Sequence, residues 1–222
     1  MLTDVQARTM LSLQSLMNSK VDPEWLQARY PYLRAVVVEG SEAIEHHGWK
    51  WWKKQDRDLP QLQMELIDIW HFMLSEILLQ NNGRLEDAIH QLQAFLTVDH
   101  RHKTLHFDGT DYALGELDLI TRLELLIGTA VVRRVEMGLF ETIMRDCHMD
   151  WDELFRQYVG KNVLNLFRQD HGYKKGHYRK LWQGKEDNQH LVEIMQELDA
   201  NDEAYQERLY QSLARRYEAV DS

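Results

Sequence analysis

The stretch VVVEGSEAIEHHGWKWWKKQDRDLPQLQMELIDIWHF, Val36 to Phe72, carries acids at Glu39, Glu42, Glu45, Glu65 and Asp68, with three tryptophans between its two acidic groups. Residues three apart on an α-helix lie on neighbouring sides of one face, so Glu39 with Glu42, and Glu65 with Asp68, each aim two carboxylates the same way. The second pair is the more demanding. It sits among Met64, Leu66, Ile67, Ile69, Trp70, Phe72, Met73 and Leu74, and a helix that is apolar nearly all round is expected to be buried. Close like charges destabilise an exposed helix by a few tenths of a kcal/mol per pair and cost far more away from water, unless a cation lies between them. The alternative is that these acids point into solvent.

Outward from this stretch the chain is rich in helix formers, with 3 prolines and 11 glycines in 222 residues, and no segment shows a convincing β-type alternation. The spacing predicts an all-α fold with helices over about Asp4 to Asn18, Tyr32 to His47, Leu59 or Pro60 to Leu79, Leu85 to Ala94, Leu114 to Met137, Trp151 to Gln169 and His190 to Tyr217. Gly48 and the Asn81 to Gly83 turn supply stop signals. One domain over residues 1–222 is expected. The histidine-rich segment Thr97 to Asp111 reads as a loop. Its His100, His102 and His106 are taken as solvated, with metal binding as the alternative.

A formal charge of −10 argues against duplex nucleic acid as a partner, because phosphate backbones need a basic face. No run approaches a membrane span, and the N-terminus lacks the charged and apolar regions of a signal peptide. The single cysteine, Cys147, leaves no intramolecular disulfide, reads as a buried hydrophobe and fits a reducing, cytoplasmic setting. Trp49, Trp51 and Trp52 are expected to be core or interface anchors, with base stacking as the alternative. Lys50 and Lys53 face either solvent or phosphate. His71, one turn after Asp68, reads as a hydrogen-bonded core histidine, with support of the acids as the alternative.

Carboxylates from two helices suit a hard cation, Mg²⁺ or Mn²⁺, better than zinc. Mg²⁺ held by few carboxylates usually also coordinates substrate phosphates, which points to a nucleotide. Spacing alone leaves open whether Glu42 pairs with Glu39 or with Glu45.

Paired ExxE and ExxD patterns on successive helices resemble the all-α nucleoside triphosphate pyrophosphatases. EGSEAIEHHGWKWWKK followed by MELIDIWHFMLSE is similar to the dimeric dUTPase family in particular. So is GKNVLNLFRQDHGYKKGHYRKLWQGKEDN, Gly160 to Asn188, and LQSLMN, Leu13 to Asn18, resembles the family's first motif. The region at about 83–141 is less family-like. The resemblance implies a helical bundle of the pyrophosphatase type, a homodimer with a mobile closing lobe, and Mg²⁺-dependent hydrolysis of dUTP, extending to dUDP, to dUMP. It places the metals on Glu39, Glu42, Glu65 and Asp68, with Glu42 or Glu39 orienting or deprotonating the attacking water. Phosphate binding falls on Lys161, Arg168, Tyr173 and Lys180, and contact with base and sugar on Gln14, Asn18, Asn165 and Asn188. The residue chemistry agrees: Lys and Arg complement phosphate, and amides, which both donate and accept, match a uracil edge. Two other readings stay open, a pyrophosphatase of another specificity such as dCTP and a non-enzymatic helical interaction protein.

Overall fold

The computed structural model of the chain describes residues 2–96, 104–199, 202 and 204–218. The fold is all-α, with two short hairpins. The helices are α1 (Asp4–Val21), α2 (Trp25–Ala28), α3 (Tyr32–His47), α4 (Leu59–Gln80) and α5 (Leu85–Leu96). Strands β1 (Thr104–Phe107) and β2 (Thr110–Ala113) follow, then α6 (Leu119–Val131), α7 (Met137–Asp146) and α8 (Trp151–Asp170). The chain ends with β3 (Leu181–Trp182), β4 (Lys185–Glu186), α9 (Asp187–Glu197) and α10 (Tyr205–Glu218). Both hairpins are antiparallel, with Thr104 opposite Ala113 and Leu181 opposite Glu186.

The nearly all-apolar α4 is the central helix, as its composition requires. Leu62, Leu66, Ile69, Trp70, Leu74 and Ile77 are wholly buried on it. Trp70 stacks on Phe140 of α7, with ring centroids 5.2 Å apart. Helix α3 lies between α4 and α6, and Gly40 lets it approach α6: a Cβ there would stand 2.8 Å from Cγ1 of Ile127. A second core forms from Val163, Leu164 and Phe167 of α8 with Trp182, Leu191, Ile194, Leu209 and Leu213. Helix α8 threads both cores, because its first half packs Leu154, Tyr158 and Val159 into the main one.

Local chemistry sets the boundaries. Asp58 caps α4 by accepting from the Gln61 backbone N–H, with a proline in the first turn, and Asp150 caps α8 by accepting from Glu153. Helices α4 and α8 therefore start where the sequence predicts, and α3 also starts at Tyr32 as expected, behind Pro31 and without a side-chain cap. Other stretches differ. The single helix expected over Leu114 to Met137 is broken, because Asp118 caps a new helix and Arg133 takes a left-handed φ of 66°. Arg134 N–H then reaches the Thr129 carbonyl at 2.9 Å and Arg133 N–H that of Ala130 at 3.1 Å, a Schellman closure without glycine. The expected helix from His190 to Tyr217 is also two helices. Leu198 is extended, and Asp202 accepts from Ala204 and Tyr205 backbone N–H groups through its side chain and carbonyl.

The expected loop from Thr97 to Asp111 holds the first hairpin from Thr104 onward. Asp108 and Gly109 both have positive φ, 48° and 74°, the Asp-Gly geometry that joins two strands tightly. His106 is exposed there beside Asp111, while His100 and His102 lie outside the described residues. The tryptophan expectation is corrected in part. Trp51 is 86% and Trp52 59% exposed, so neither is a core residue of this chain; they and Trp49 pack edge to face on one another instead. Cys147 is buried as expected, its thiol pushed up to about 11 by burial.

Candidate active site

A cavity of about 1080 Å³ lies where α1, α3, α4 and α8 meet the segment from Tyr173 to Asn188. All twelve side chains picked out in the sequence line it: Gln14, Asn18, Glu39, Glu42, Glu65, Asp68, Lys161, Asn165, Arg168, Tyr173, Lys180 and Asn188. Glu45 does not. Its carboxylate turns away to accept from Trp49 Nε1 at 2.6 Å and Lys50 Nζ at 2.8 Å, which takes up Lys50 as well.

Helices α3 and α4 form the acidic wall. They are tied at one end by the Asp58 N–H donating to the His46 carbonyl at 2.8 Å. One oxygen each from Glu39, Glu42 and Glu65 lies within 4.8 Å of the others. Glu65 is buried, Glu39 half-buried and Glu42 exposed. Burial, and then the charges of Asp68 and Glu42, push the Glu39 carboxyl up to about 7. Burial, and then Asp68 and Glu39, push Glu65 up to about 8. His46 Nε2 stands 3.5 Å from Glu65 Oε1. Three oxygens this close, two of them held partly protonated at neutral pH by burial first and mutual repulsion second, are short of positive charge, and the set could hold a hard cation.

The opposite wall is basic, but two of its cations, Lys161 and Arg168, are already engaged. Lys161, buried on α8, donates to Asp68 Oδ2 at 2.8 Å and Asn188 Oδ1 at 3.1 Å. Arg168 directs Nε and Nη2 at the two oxygens of Asp187, both at 2.8 Å, and Nη1 at Asn165 Oδ1 at 3.0 Å. The fork that the sequence assigns to phosphate is thus filled on one side by a carboxylate. The ring of Tyr173 lies 5.9 Å from both the Arg168 guanidinium and Lys180 Nζ.

A third group lies deeper, between α1, α4 and α8. Gln14 Oε1 accepts from His71 Nδ1 at 2.7 Å and Tyr158 Oη at 2.9 Å, and Gln14 Nε2 donates to Asn18 Oδ1 at 2.9 Å. Ser75 donates to the same Asn18 oxygen at 3.2 Å. His71 is therefore a buried, hydrogen-bonded histidine, as expected; burial pulls it down to about 4 and keeps it neutral. With Nδ1–H given to Gln14, its Nε2 is a lone-pair acceptor. That Nε2 and Asn18 Nδ2 are buried without a partner among the described residues. One acceptor and one donor are thus left over on residues that line the cavity.

Sequence reasoning missed Asp187, His46, Ser75 and Tyr158. Asp187 stands beside Asn188 in a block already singled out, so its position was marked though its role was not. Tyr158 sits seven residues, two helical turns, before Asn165 on α8, a spacing that puts both on one face.

An all-α chain with acids of two helices facing cations of a third across one cavity is laid out as a nucleotide hydrolase. The family described as dUTPase matches residues 6–173, 168 of the 222, and the chain belongs to that family. This bears out the resemblance to the dimeric dUTPases and makes the chain an enzyme of dUTP hydrolysis. The match runs through the region at about 83–141 and stops at Tyr173. No curated protein matches the chain. Among the described residues, no helix is long and apolar enough to cross a membrane.

Proposed function

We propose that the chain hydrolyses dUTP to dUMP and pyrophosphate, and also dUDP to dUMP and phosphate, with Mg²⁺ as cofactor and Mn²⁺ able to replace it, and that it works as one domain within a cytoplasmic homodimer without binding duplex nucleic acid. One observation carries this reading: a single cavity gathers the acid cluster, the basic wall and the unpartnered donor and acceptor. Glu39, Glu42, Glu65 and Asp68 would hold the metal, which when bound neutralises phosphate charge and lowers the pKa of water. Glu42, the most open of the acids, or Glu39 beside it, orients the attacking water and takes its proton. Lys161, Arg168, Tyr173 and Lys180 surround the phosphates, and Asn165 and Asn188 the sugar side.

Base selection rests on the polarity of the deep network. Uracil presents N3–H between two carbonyls, so a base that opened its way to this network would set N3–H against His71 Nε2 and a carbonyl against Asn18 Nδ2, both closed to solvent in the chain alone. Cytosine has a bare N3, which would set lone pair against lone pair at His71, and this chemistry supports the reading of dUTP over dCTP. A site built to hydrogen-bond one edge rejects an analogue that leaves its groups unpaired. The test is monophosphate release from each deoxynucleoside triphosphate and from dUDP, with Mg²⁺ or with excess EDTA. Selective dUMP formation that EDTA abolishes is expected, whereas preference for dCTP, or turnover that survives EDTA, would overturn the reading.

A further inference from the structure

Arg168 is held from behind. Its carboxylate partner, Asp187, is 1% exposed and takes a third hydrogen bond from Tyr178 Oη, at 2.9 Å to Oδ2. A buried carboxylate with three charge-assisted or hydroxyl donors has one orientation open to it, and it passes that orientation to the guanidinium plane. Tyr178 is fixed in turn. Its ring lies parallel to that of Tyr217, with centroids 5.4 Å apart and planes 3° apart. Tyr217 comes from α10 and also meets Phe167 and Trp182 edge to face, at 5.4 and 5.2 Å. The Arg179 guanidinium lies 4.9 Å over the Tyr217 ring. Helix α10 is itself anchored by the wholly buried Leu209 and Leu213, and by Arg216, which pairs with Glu193 and Glu197 of α9 at 2.6 and 3.0 Å.

We propose that Asp187, Tyr178 and Tyr217 are positioning residues that fix the guanidinium of Arg168 for the nucleotide phosphates, so that α10 serves substrate binding although it lies beyond the matched part of the chain. The inference rests on the reading of Arg168 as a phosphate ligand. Because Asp187 cancels the charge of Arg168, the pair contributes aimed N–H donors rather than a diffuse positive field, and their aim is what the relay controls. A lysine at 168 would keep the charge and lose the planar fork, so anything acting only through that fork should then stop mattering.

The test uses the full-length chain with dUTP and saturating Mg²⁺. Tyr178→Phe removes one hydroxyl and leaves the aromatic packing, so the fold should survive. It is expected to raise KM about tenfold with kcat within about twofold, the loss typical of one hydrogen bond to a charged group. Tyr217→Ala should do the same, and Tyr217→Phe, which keeps the stacked ring, should stay close to the parent KM. In the Arg168→Lys background, Tyr178→Phe should add nothing further, since residues acting through one group are not additive. A Tyr178→Phe enzyme with parent KM, or one whose KM rises equally in both backgrounds, overturns the relay and leaves the phosphate reading of Arg168 intact. An Arg168→Lys enzyme with parent KM overturns that reading and the relay with it.

Discussion

Replacing Glu65 by Gln should strengthen the metal-free protein while destroying the enzyme. The carboxyl is pushed from its ordinary 4.5 up to about 8, first by burial and then by Asp68 and Glu39. A raised acid pKa means that the folded chain holds the proton more tightly than the unfolded one. Stability is therefore lost as pH climbs from about 4.5 to about 8. At about 1.4 kcal/mol per pH unit the ceiling is roughly 5 kcal/mol, and partial access of water to the cluster reduces it to about 2 kcal/mol. In a chain of this size that is a rise of roughly 4–8 °C in melting temperature. Thermal melts in EDTA at pH 8.5 and pH 5 check it: the Gln variant should melt higher at pH 8.5 and level with the parent at pH 5, where the carboxyl is already neutral. In Mg²⁺ the parent should recover by mass action and the variant should recover less. A variant that melts lower at pH 8.5 in EDTA, or gains equally at both pH values, would refute the account of Glu65 as an uncompensated buried acid. Near-normal turnover would reject it as a metal ligand.

Adding Mg²⁺ or Mn²⁺ at pH 7 should expel protons from Glu39 and Glu65, both raised mainly by burial; calorimetry in two buffers of different ionisation heat measures the release, and binding without it would contradict those shifts. Asn18→Asp replaces the unpartnered donor Nδ2 with an acceptor. The change should raise KM for dUTP by roughly 10- to 100-fold and narrow the preference over dCTP, as read from parallel kinetics. Gly40→Ala puts a methyl 2.8 Å from Ile127 Cγ1, a stiff branched side chain, and should lower stability by about 1–3 kcal/mol in denaturant titration. An unchanged midpoint would show that α3 and α6 part easily.

The parts of the fold that the sequence made legible are those where pattern and capping coincide. Helix α3 runs between Tyr32 and a glycine of φ 86°, and α4 begins at an aspartate cap with a proline behind it, so both were placed within a residue or two. The break after α6 was hidden because Arg133 does what glycine usually does. The first hairpin had a readable signal in Asp108-Gly109 that the surrounding histidines obscured. Of the two roles expected for the tryptophans, it is the core role that fails, for a physical reason. Hydrophobicity predicts burial on average, but Trp49, Trp51 and Trp52 cover one another, and Trp51 and Trp52 leave much of their surface in water.

The site shows a sharper limit. Spacing gives each helix its own carboxylate pair, whereas the approach of Glu39, Glu42 and Glu65 within 4.8 Å depends on how α3 lies along α4, which no local pattern encodes. Reading the basic residues as free phosphate binders likewise overlooks what folding does to charge. Asp68 takes up Lys161 and Asp187 takes up Arg168, because a buried cation without a counter-ion is too costly to keep. Around the cavity, Glu39, Glu42, Asp58, Glu65, Asp68 and Glu186, with Asp187 behind Arg168, give seven carboxylates against Lys161, Arg168 and Lys180, four in excess before protonation. A polyanion meets no net attraction there until a cation enters. The acids that look like a liability in the sequence therefore do more than bind metal: they make the metal a condition for the nucleotide, and they leave the basic wall to provide direction rather than charge.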